Sequence, residues 1–358
     1  MNKVKALLVY SGYSSFVRAD YQILSQDFDV SRYQFSPYKG FIRFIWSNIR
    51  LFFFCLFNIR KYSVIYCWFA DYHSLFPILF SKIFSKTSVI VVGGYDSMYI
   101  PEVEHGVFKN LNSYRVKCVR YALSNATYVF PVDESLVYSV NTYTDSNGIK
   151  VGIKHYVKHF NGQIVTIPTG YNPHVWKKPA EVKKTQSVIT LASVPDDKTF
   201  KIKGLDMFLE VAASMPEVQF SMVGLSPLME QKIKPTASKN VCFWGYVEHS
   251  KLPAILSEHK VYAQLSLCEG LPNALCEAML CECIPVGSNV NGIPKGIGDT
   301  GFILKNRDVH EAKKLVSQAL AAPSEMGVRA RQRIIDNFSE QYRKERVLST
   351  IKQQMYES

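Results

Sequence analysis

The chain has 358 residues, 47% of them apolar and 20% charged, a balance that excludes a disordered polypeptide. Single cores rarely grow past about 250–300 residues, so this length calls for two domains. Forty-two basic against 30 acidic residues leave a net charge of +12, which favours an acidic partner: nucleic acid, anionic lipid or a phosphorylated substrate.

Val4–Tyr10 reads as a continuous apolar strand. It runs into the turn Ser11-Gly12-Tyr13-Ser14-Ser15 and then a helix from about Phe16 to Gln26. Strand, glycine turn and helix open a parallel α/β sheet with backbone amides at the strand's end. The apolar run Ala6–Tyr10 is too short for the core of a signal peptide. Buried-type strands follow at Ser63–Cys67, Ser88–Val92, Thr127–Pro131 and Ile164–Ile167, with helices between most of them. Residues 1–171 are therefore expected to form one doubly wound domain.

No acid falls between Asp29 and Asp71, whereas Arg32, Lys39, Arg43, Arg50, Arg60 and Lys61 all do. Within that stretch, 14 of the 19 residues from Phe41 to Ile59 are apolar. Burying Arg43 and Arg50 at a bilayer centre would cost about 2.5–3.5 kcal/mol each, cancelling the gain from the apolar residues. At helical spacing Arg43, Ser47 and Arg50 share one face, and Ile42, Ile45, Trp46, Ile49, Phe53 and Leu56 share the other. Segment 41–59 is thus expected to lie in a membrane interface. Arg43, Trp46, Arg50, Phe53, Arg60 and Lys61 are its contact residues with an anionic surface. The rival reading is a core helix with snorkelling arginines.

Residues 172–186, with two prolines and four lysines, read as a linker. Alternation then restarts. Strands are expected at Ser187–Ala192, Gln219–Val223, Val241–Trp244, Val261–Leu267 and Ile284–Val286, and helices at Leu205–Ser214, Lys251–Ser257, Ala274–Cys281, Val309–Leu320 and Met326–Phe338. Residues 187–338 make a second α/β domain, and 339–358 a terminal helix able to reach back to the first. The eight cysteines include no CxxC pair, and they read as reduced, mostly buried thiols of a cytoplasmic protein. No metal site is apparent: Asp196-Asp197 stands in a loop as a solvated pair. No recognised motif or basic recognition helix supports nucleic-acid binding.

The stretch most informative about chemistry is Leu267-Cys268-Glu269-Gly270-Leu271-Pro272-Asn273-Ala274-Leu275-Cys276-Glu277-Ala278-Met279. Pro272 and Asn273 are helix-start residues. The free amides of that start form an anion site, and a carboxylate one turn on can accept both hydroxyls of a ribose diol. This string, together with CIPVGSNVNGIP and IGDTGF further on, resembles the donor-site signature of retaining glycosyltransferases of family 4. Lys203-Gly204-Leu205-Asp206, Met222-Val223-Gly224, Phe243–Val247 and the turn Ile167–Asn172 resemble further segments of that family. The match is specific over the second domain and loose over the first.

The resemblance implies the GT-B fold: two Rossmann-like domains facing each other across a cleft. It implies that Glu277 binds the ribose of a nucleotide-diphosphate sugar, and that Glu269 and the amides of Gly270, Leu271, Pro272–Asn273 and Ala274 hold the sugar and diphosphate. Lys203 would neutralise the leaving diphosphate in place of a metal, without a cofactor, and Gly12 would let the first domain's backbone approach it. The family's arginine upstream of that lysine is missing from Leu191–Val194; Lys198 or Lys201 would stand in as point charges without the bidentate fork. Val91–Asp96 ends a strand where open α/β sheets bind ligands, so Asp96 is expected to orient or deprotonate the acceptor hydroxyl, with Tyr95 and His73 beside it and Glu102, Glu104 and His105 along the channel. The expected function is transfer of a UDP-linked sugar to a lipid-linked or membrane-borne glycan during cell-surface polysaccharide synthesis, on the inner face of the membrane. A sugar-nucleotide epimerase of the same fold and a scaffold with a degenerate donor site are the alternatives.

Overall fold

The computed structural model describes residues 3–36 and 40–357; Lys39 of the basic stretch lies outside them. The chain divides into two compact units. Unit 1 comprises Met1–Ser139, Lys150–Gly170 and Gln341–Ser358, and unit 2 comprises Val140–Ile149 and Tyr171–Glu340.

Unit 1 is built on β1 (Val4–Tyr10), β2 (Phe28–Gln34), β3 (Val64–Trp68), β4 (Thr87–Val92), β5 (Tyr128–Pro131) and β8 (Gln163–Ile164); β6 (Ser139–Asn141) and β7 (Ile149–Val151), where the chain passes from one unit to the other and back, pair with each other. The six-stranded sheet has the order β2-β1-β3-β4-β5-β8, and every pairing is parallel. Inner strands β3 and β4 are buried along their whole length, which is why they read as unbroken apolar runs. Strand β2 was not expected from the sequence. It is an edge strand whose Asp29 and Arg32 are not buried, so its apolar signal is diluted.

Asp20, in the helix Ser15–Asp27, is fully buried. Arg343 of the terminal helix Glu340–Glu357 grips it at both oxygens, at 2.6 and 2.7 Å, and also donates to the carbonyls of Ile167 and Pro168. Tyr66 and Trp68 donate to the same carboxylate at 2.7 and 2.8 Å. These bonds explain why residues from Gln341 onward count with unit 1.

The helix Phe41–Asn58 is packed on one side only. Ser47, Leu51 and Cys55 are buried, Phe54 meets Tyr33 of β2, and Phe52 meets Phe76 and Phe80 of the helix Tyr72–Ile83. Ser47 therefore faces inward rather than sharing an exposed face with the arginines. The opposite side leaves Ile42 72%, Trp46 61% and Phe53 49% exposed. Arg43 and Arg50, both exposed, flank that apolar side. By length and composition alone, Phe41–Lys61 could cross a membrane; the packing of one side against unit 1 instead leaves an apolar strip along the helix.

Unit 2 holds β9 (Thr185–Val194), β10 (Gln219–Leu225), β11 (Val241–Phe243), β12 (His259–Gln264), β13 (Ile284–Ser288) and β14 (Phe302–Leu304), in the order β11-β10-β9-β12-β13-β14. All its pairings are parallel. Relative to its first strand this is the dinucleotide-fold order 3-2-1-4-5-6, whose direction reverses between β9 and β12.

Two expected boundaries are corrected. Residues 140–149 were expected in the first domain. They belong to unit 2 because Asn141 Nδ2 and Thr144 Oγ1 donate to the Leu267 carbonyl, at 2.9 and 3.2 Å, and Tyr143 is buried. Segment 172–186 is part of unit 2 rather than a free linker. Trp176 is buried, Arg331 donates to the carbonyls of Pro173 and Trp176, and Lys184 donates to those of Leu256, Ser257 and His259. Its lysine-rich composition hid that packing.

Candidate active site

Ligands of open α/β sheets bind outside the carboxyl ends of the strands, where strand order reverses. In unit 2 that point lies between β9 and β12, and the expected donor residues follow those two strands. Gly204 fixes the first approach. Its backbone is left-handed (φ +64°), and a side chain there would collide with the Leu265 carbonyl, so only glycine lets this turn lie against the end of β12. The Leu267 N–H donates to the Ile202 carbonyl at 2.8 Å and closes the same contact.

Lys203 is thereby brought to Glu269. Its Nζ donates to Oε1 at 2.7 Å. Burial would pull the ammonium's pKa down, but the charge and hydrogen bond of Glu269 outweigh it and leave the pKa raised, so Lys203 carries its charge through the neutral range. Oε1 also accepts from Ser266 Oγ at 2.8 Å and Gln264 Nε2 at 3.2 Å, and Gln264 in turn accepts from Tyr262. A carboxylate anchored by three donors is pre-oriented. Ser266 and Gln264 were missed by the sequence reading; alternating polar residues at the end of an apolar strand were their only signal.

Gly270, Leu271 and Pro272 lead into the helix Asn273–Leu280, whose first turn has no side-chain cap. The amides from Asn273 onward, Ala274 among them, thus present the positive end of the helix dipole. Asn273 is held by Tyr171, whose hydroxyl donates to Oδ1 at 2.9 Å. One turn on, Glu277 is 7% exposed. Burial raises its pKa, and His249, with Nε2 3.7 Å from Oε1, opposes the rise. The ring of Trp176 stands edge-on to His249. His249 is a further residue that the sequence reading missed. Lys198 and Lys201 are both exposed.

In unit 1 the strand order reverses between β1 and β3. Gly12, after β1, is exposed, and a side chain there would meet nothing within 4 Å. After β3 comes Asp71, which caps the helix Tyr72–Ile83. Arg115 donates to both Asp71 oxygens and, at 2.9 Å, to the Tyr95 hydroxyl, with its guanidinium over the Tyr72 and Tyr95 rings. Tyr95 keeps partial exposure.

Asp96 and His73 need correction. Asp96 is wholly buried, and its oxygens accept from the backbone amides of Ala70, Gly93 and Gly94 at 2.9–3.1 Å. Burial pushes its pKa up to about 6 against those hydrogen bonds. Such a carboxylate braces the ends of β3 and β4 and is shielded from solvent. His73 is 2% exposed, and its Nε2 lies 2.8 Å from the Trp68 carbonyl. A carbonyl only accepts, so Nε2 bears the proton, and burial lowers the ring's pKa. Glu102 and Glu104 are exposed, and His105 packs edge-on to Tyr95. Among the described residues, no three His, Cys, Asp or Glu side chains are grouped to hold a metal ion.

Residues 187–322 match the family described as glycosyl transferases group 1. A curated relative from Arabidopsis thaliana, one of the subunits of phosphatidylinositol N-acetylglucosaminyltransferase, is 25% identical over 167 residues; the match covers 44% of this chain and 37% of that protein's length. Among solved structures, sucrose-phosphate synthase from Thermosynechococcus elongatus superposes with a TM-score of 0.77 at 15% identity, over 99% of this chain and all of that one. HepE of Anabaena, in complex with UDP and glucose, gives 0.70 at 14% identity, over 98% of this chain and 99% of that one. The chain has the GT-B fold, and its residues 187–322 are similar to the group 1 glycosyl transferases.

Proposed function

We propose that the chain is a retaining glycosyltransferase that takes a sugar from a UDP-linked donor. The acceptor is a hydroxyl of a lipid-linked or membrane-borne glycan in cell-surface polysaccharide synthesis. The observation that carries this reading is the Lys203–Glu269 pair, 2.7 Å apart, at the strand-order reversal of unit 2, followed by an uncapped helix start with Glu277 one turn on. Each part has a role in the reaction. Glu277 accepts from the ribose hydroxyls. Glu269 fixes the sugar, and Lys203 with the helix amides stabilises the charge that grows on the departing diphosphate. With lysine and helix dipole in that role, the transfer needs no metal.

Retention follows from the resemblance to family 4, the acceptor attacking the face from which the diphosphate leaves. The UDP reading is supported by HepE, whose structure holds UDP and glucose. A lipid acceptor is supported by the Arabidopsis relative, whose name couples phosphatidylinositol to N-acetylglucosaminyl transfer. The strip of Ile42, Trp46 and Phe53 beside Arg43 and Arg50 suits the cytoplasmic face of an anionic membrane.

The test is a thermal-shift panel of UDP, GDP, ADP and their sugar conjugates on wild type and Glu277→Ala. One nucleotide series should raise the wild-type midpoint and leave the variant's unmoved. If no nucleotide shifts the wild type at millimolar concentration, the donor-site reading is wrong.

A further inference from the structure

Asn291 stands in the turn between β13 and the helix Ile293–Ile297. Its backbone is left-handed, with φ +46°, a conformation asparagine tolerates better than other residues with side chains. Two neighbours stitch this turn to the loop after β12: Gly292 N–H donates to the Gly270 carbonyl at 2.9 Å, and Ser288 Oγ to the Ser266 carbonyl at 2.6 Å. Asn291 adds a third stitch, its Oδ1 accepting from the Glu269 N–H at 3.1 Å. A backbone N–H only donates, so the amide oxygen must face it, and the orientation of the amide group is settled. The other end, Nδ2, is buried and has no partner among the described residues. A buried NH2 group left unpaired is unfavourable, and its presence calls for an acceptor from elsewhere.

We propose that Asn291 is a specificity-determining residue of the donor site, its Nδ2 donating a hydrogen bond to a hydroxyl oxygen of the transferred sugar. The proposal rests on the donor reading above and deepens it. Oε1 of Glu269 is taken by Lys203, Ser266 and Gln264, and a carboxylate only accepts. A sugar offers oxygens that also need donors, and the amide stitched to the Glu269 backbone supplies one. The diphosphate has Lys203 and the helix amides for its own charge, which leaves this donor to the sugar.

The test is calorimetric titration of wild type, Asn291→Asp and Asn291→Gly with UDP, GDP, ADP and the glucose and N-acetylglucosamine conjugates of each. Asn291→Asp keeps the acceptor for the Glu269 amide and removes the donor; Asn291→Gly keeps the left-handed turn and serves if the aspartate variant does not fold. Both should bind the free nucleotide within about twofold of wild type and the conjugate at least about tenfold more weakly. Equal losses for nucleotide and conjugate would assign Asn291 to loop support and overturn the proposal, as would variants that bind the conjugate like wild type. A wild type that binds none of these compounds overturns the donor reading, and the proposal with it.

Discussion

Glu277 can accept from both hydroxyls of a ribose diol, one at each oxygen, only as a carboxylate, and its burial works against that form while His249 favours it. The sign follows directly. A raised pKa brings protonation in at a higher pH than for an exposed glutamate, so nucleotide affinity should fall on mild acidification. Removing the His249 ring, which opposes the rise, should move that fall higher still. His249→Ala is therefore expected to weaken nucleotide binding several-fold at the acid end of a pH titration and to leave it within about twofold at the alkaline end. Affinities titrated between pH 5 and 8 would check this; an acid limb that stays in place would show that the 3.7 Å approach is too solvent-screened to matter. At this scale the sequence brought together only candidate residues that stand close along the chain. Glu269 and Glu277 lie on one short string, and Lys203 beside its glycine on another. Gln264, Ser266 and His249 reach the site through strand ends and loops whose neighbours no linear pattern reveals. Asp96 shows the converse: at the end of a strand it looked like a base, but three backbone amides claim it.

The helix Phe41–Asn58 is where an element's two faces ask different things of its residues. Ser47, Leu51 and Cys55 lie against unit 1, which leaves Ile42, Trp46 and Phe53 on the outside with Arg43 and Arg50 at their flank. Helical periodicity separated arginines from large apolar residues correctly and misplaced Ser47, because a small polar residue fits a tight helix contact as well as an exposed face. On the membrane reading, each arginine contributes about 1 kcal/mol near an anionic surface. Neutralising both, as Arg43→Gln with Arg50→Gln, should thus lower partition into phosphatidylserine vesicles about thirtyfold. Trp46→Ser with Phe53→Ser should lower it even at high salt, since the apolar contribution is not screened. Nucleotide binding should not change in either variant. Vesicle sedimentation decides the matter: if all four substitutions together leave partition intact, the strip serves something other than lipid.

At the scale of the whole molecule, unit 1 is completed by chain that returns after all of unit 2 has been made. Two regular alternations of strand and helix were visible in the sequence because inner strands of parallel sheets are apolar throughout. The return was legible as a charged helix able to reach back to the first domain; its anchor was not, since it is one arginine meeting one aspartate 323 residues away. That pair, 2% and 0% exposed at its side chains, also binds the end of β3 through Tyr66 and Trp68. Arg343→Met would leave the Asp20 carboxylate buried without its cation, and breaking such a pair costs about 3–5 kcal/mol. Asp20→Asn added to it should recover part of the loss, because a neutral amide oxygen can still accept from Tyr66 and Trp68. Native-state hydrogen exchange of the β1 and β3 amides is the direct measurement: protection should drop in Arg343→Met and partly return in the double variant. Unaltered protection in the single variant would mean that the terminal helix is held by its apolar contacts, Val347 and Ile351 foremost, which are both fully buried. The polar grip would then position the helix without stabilising unit 1.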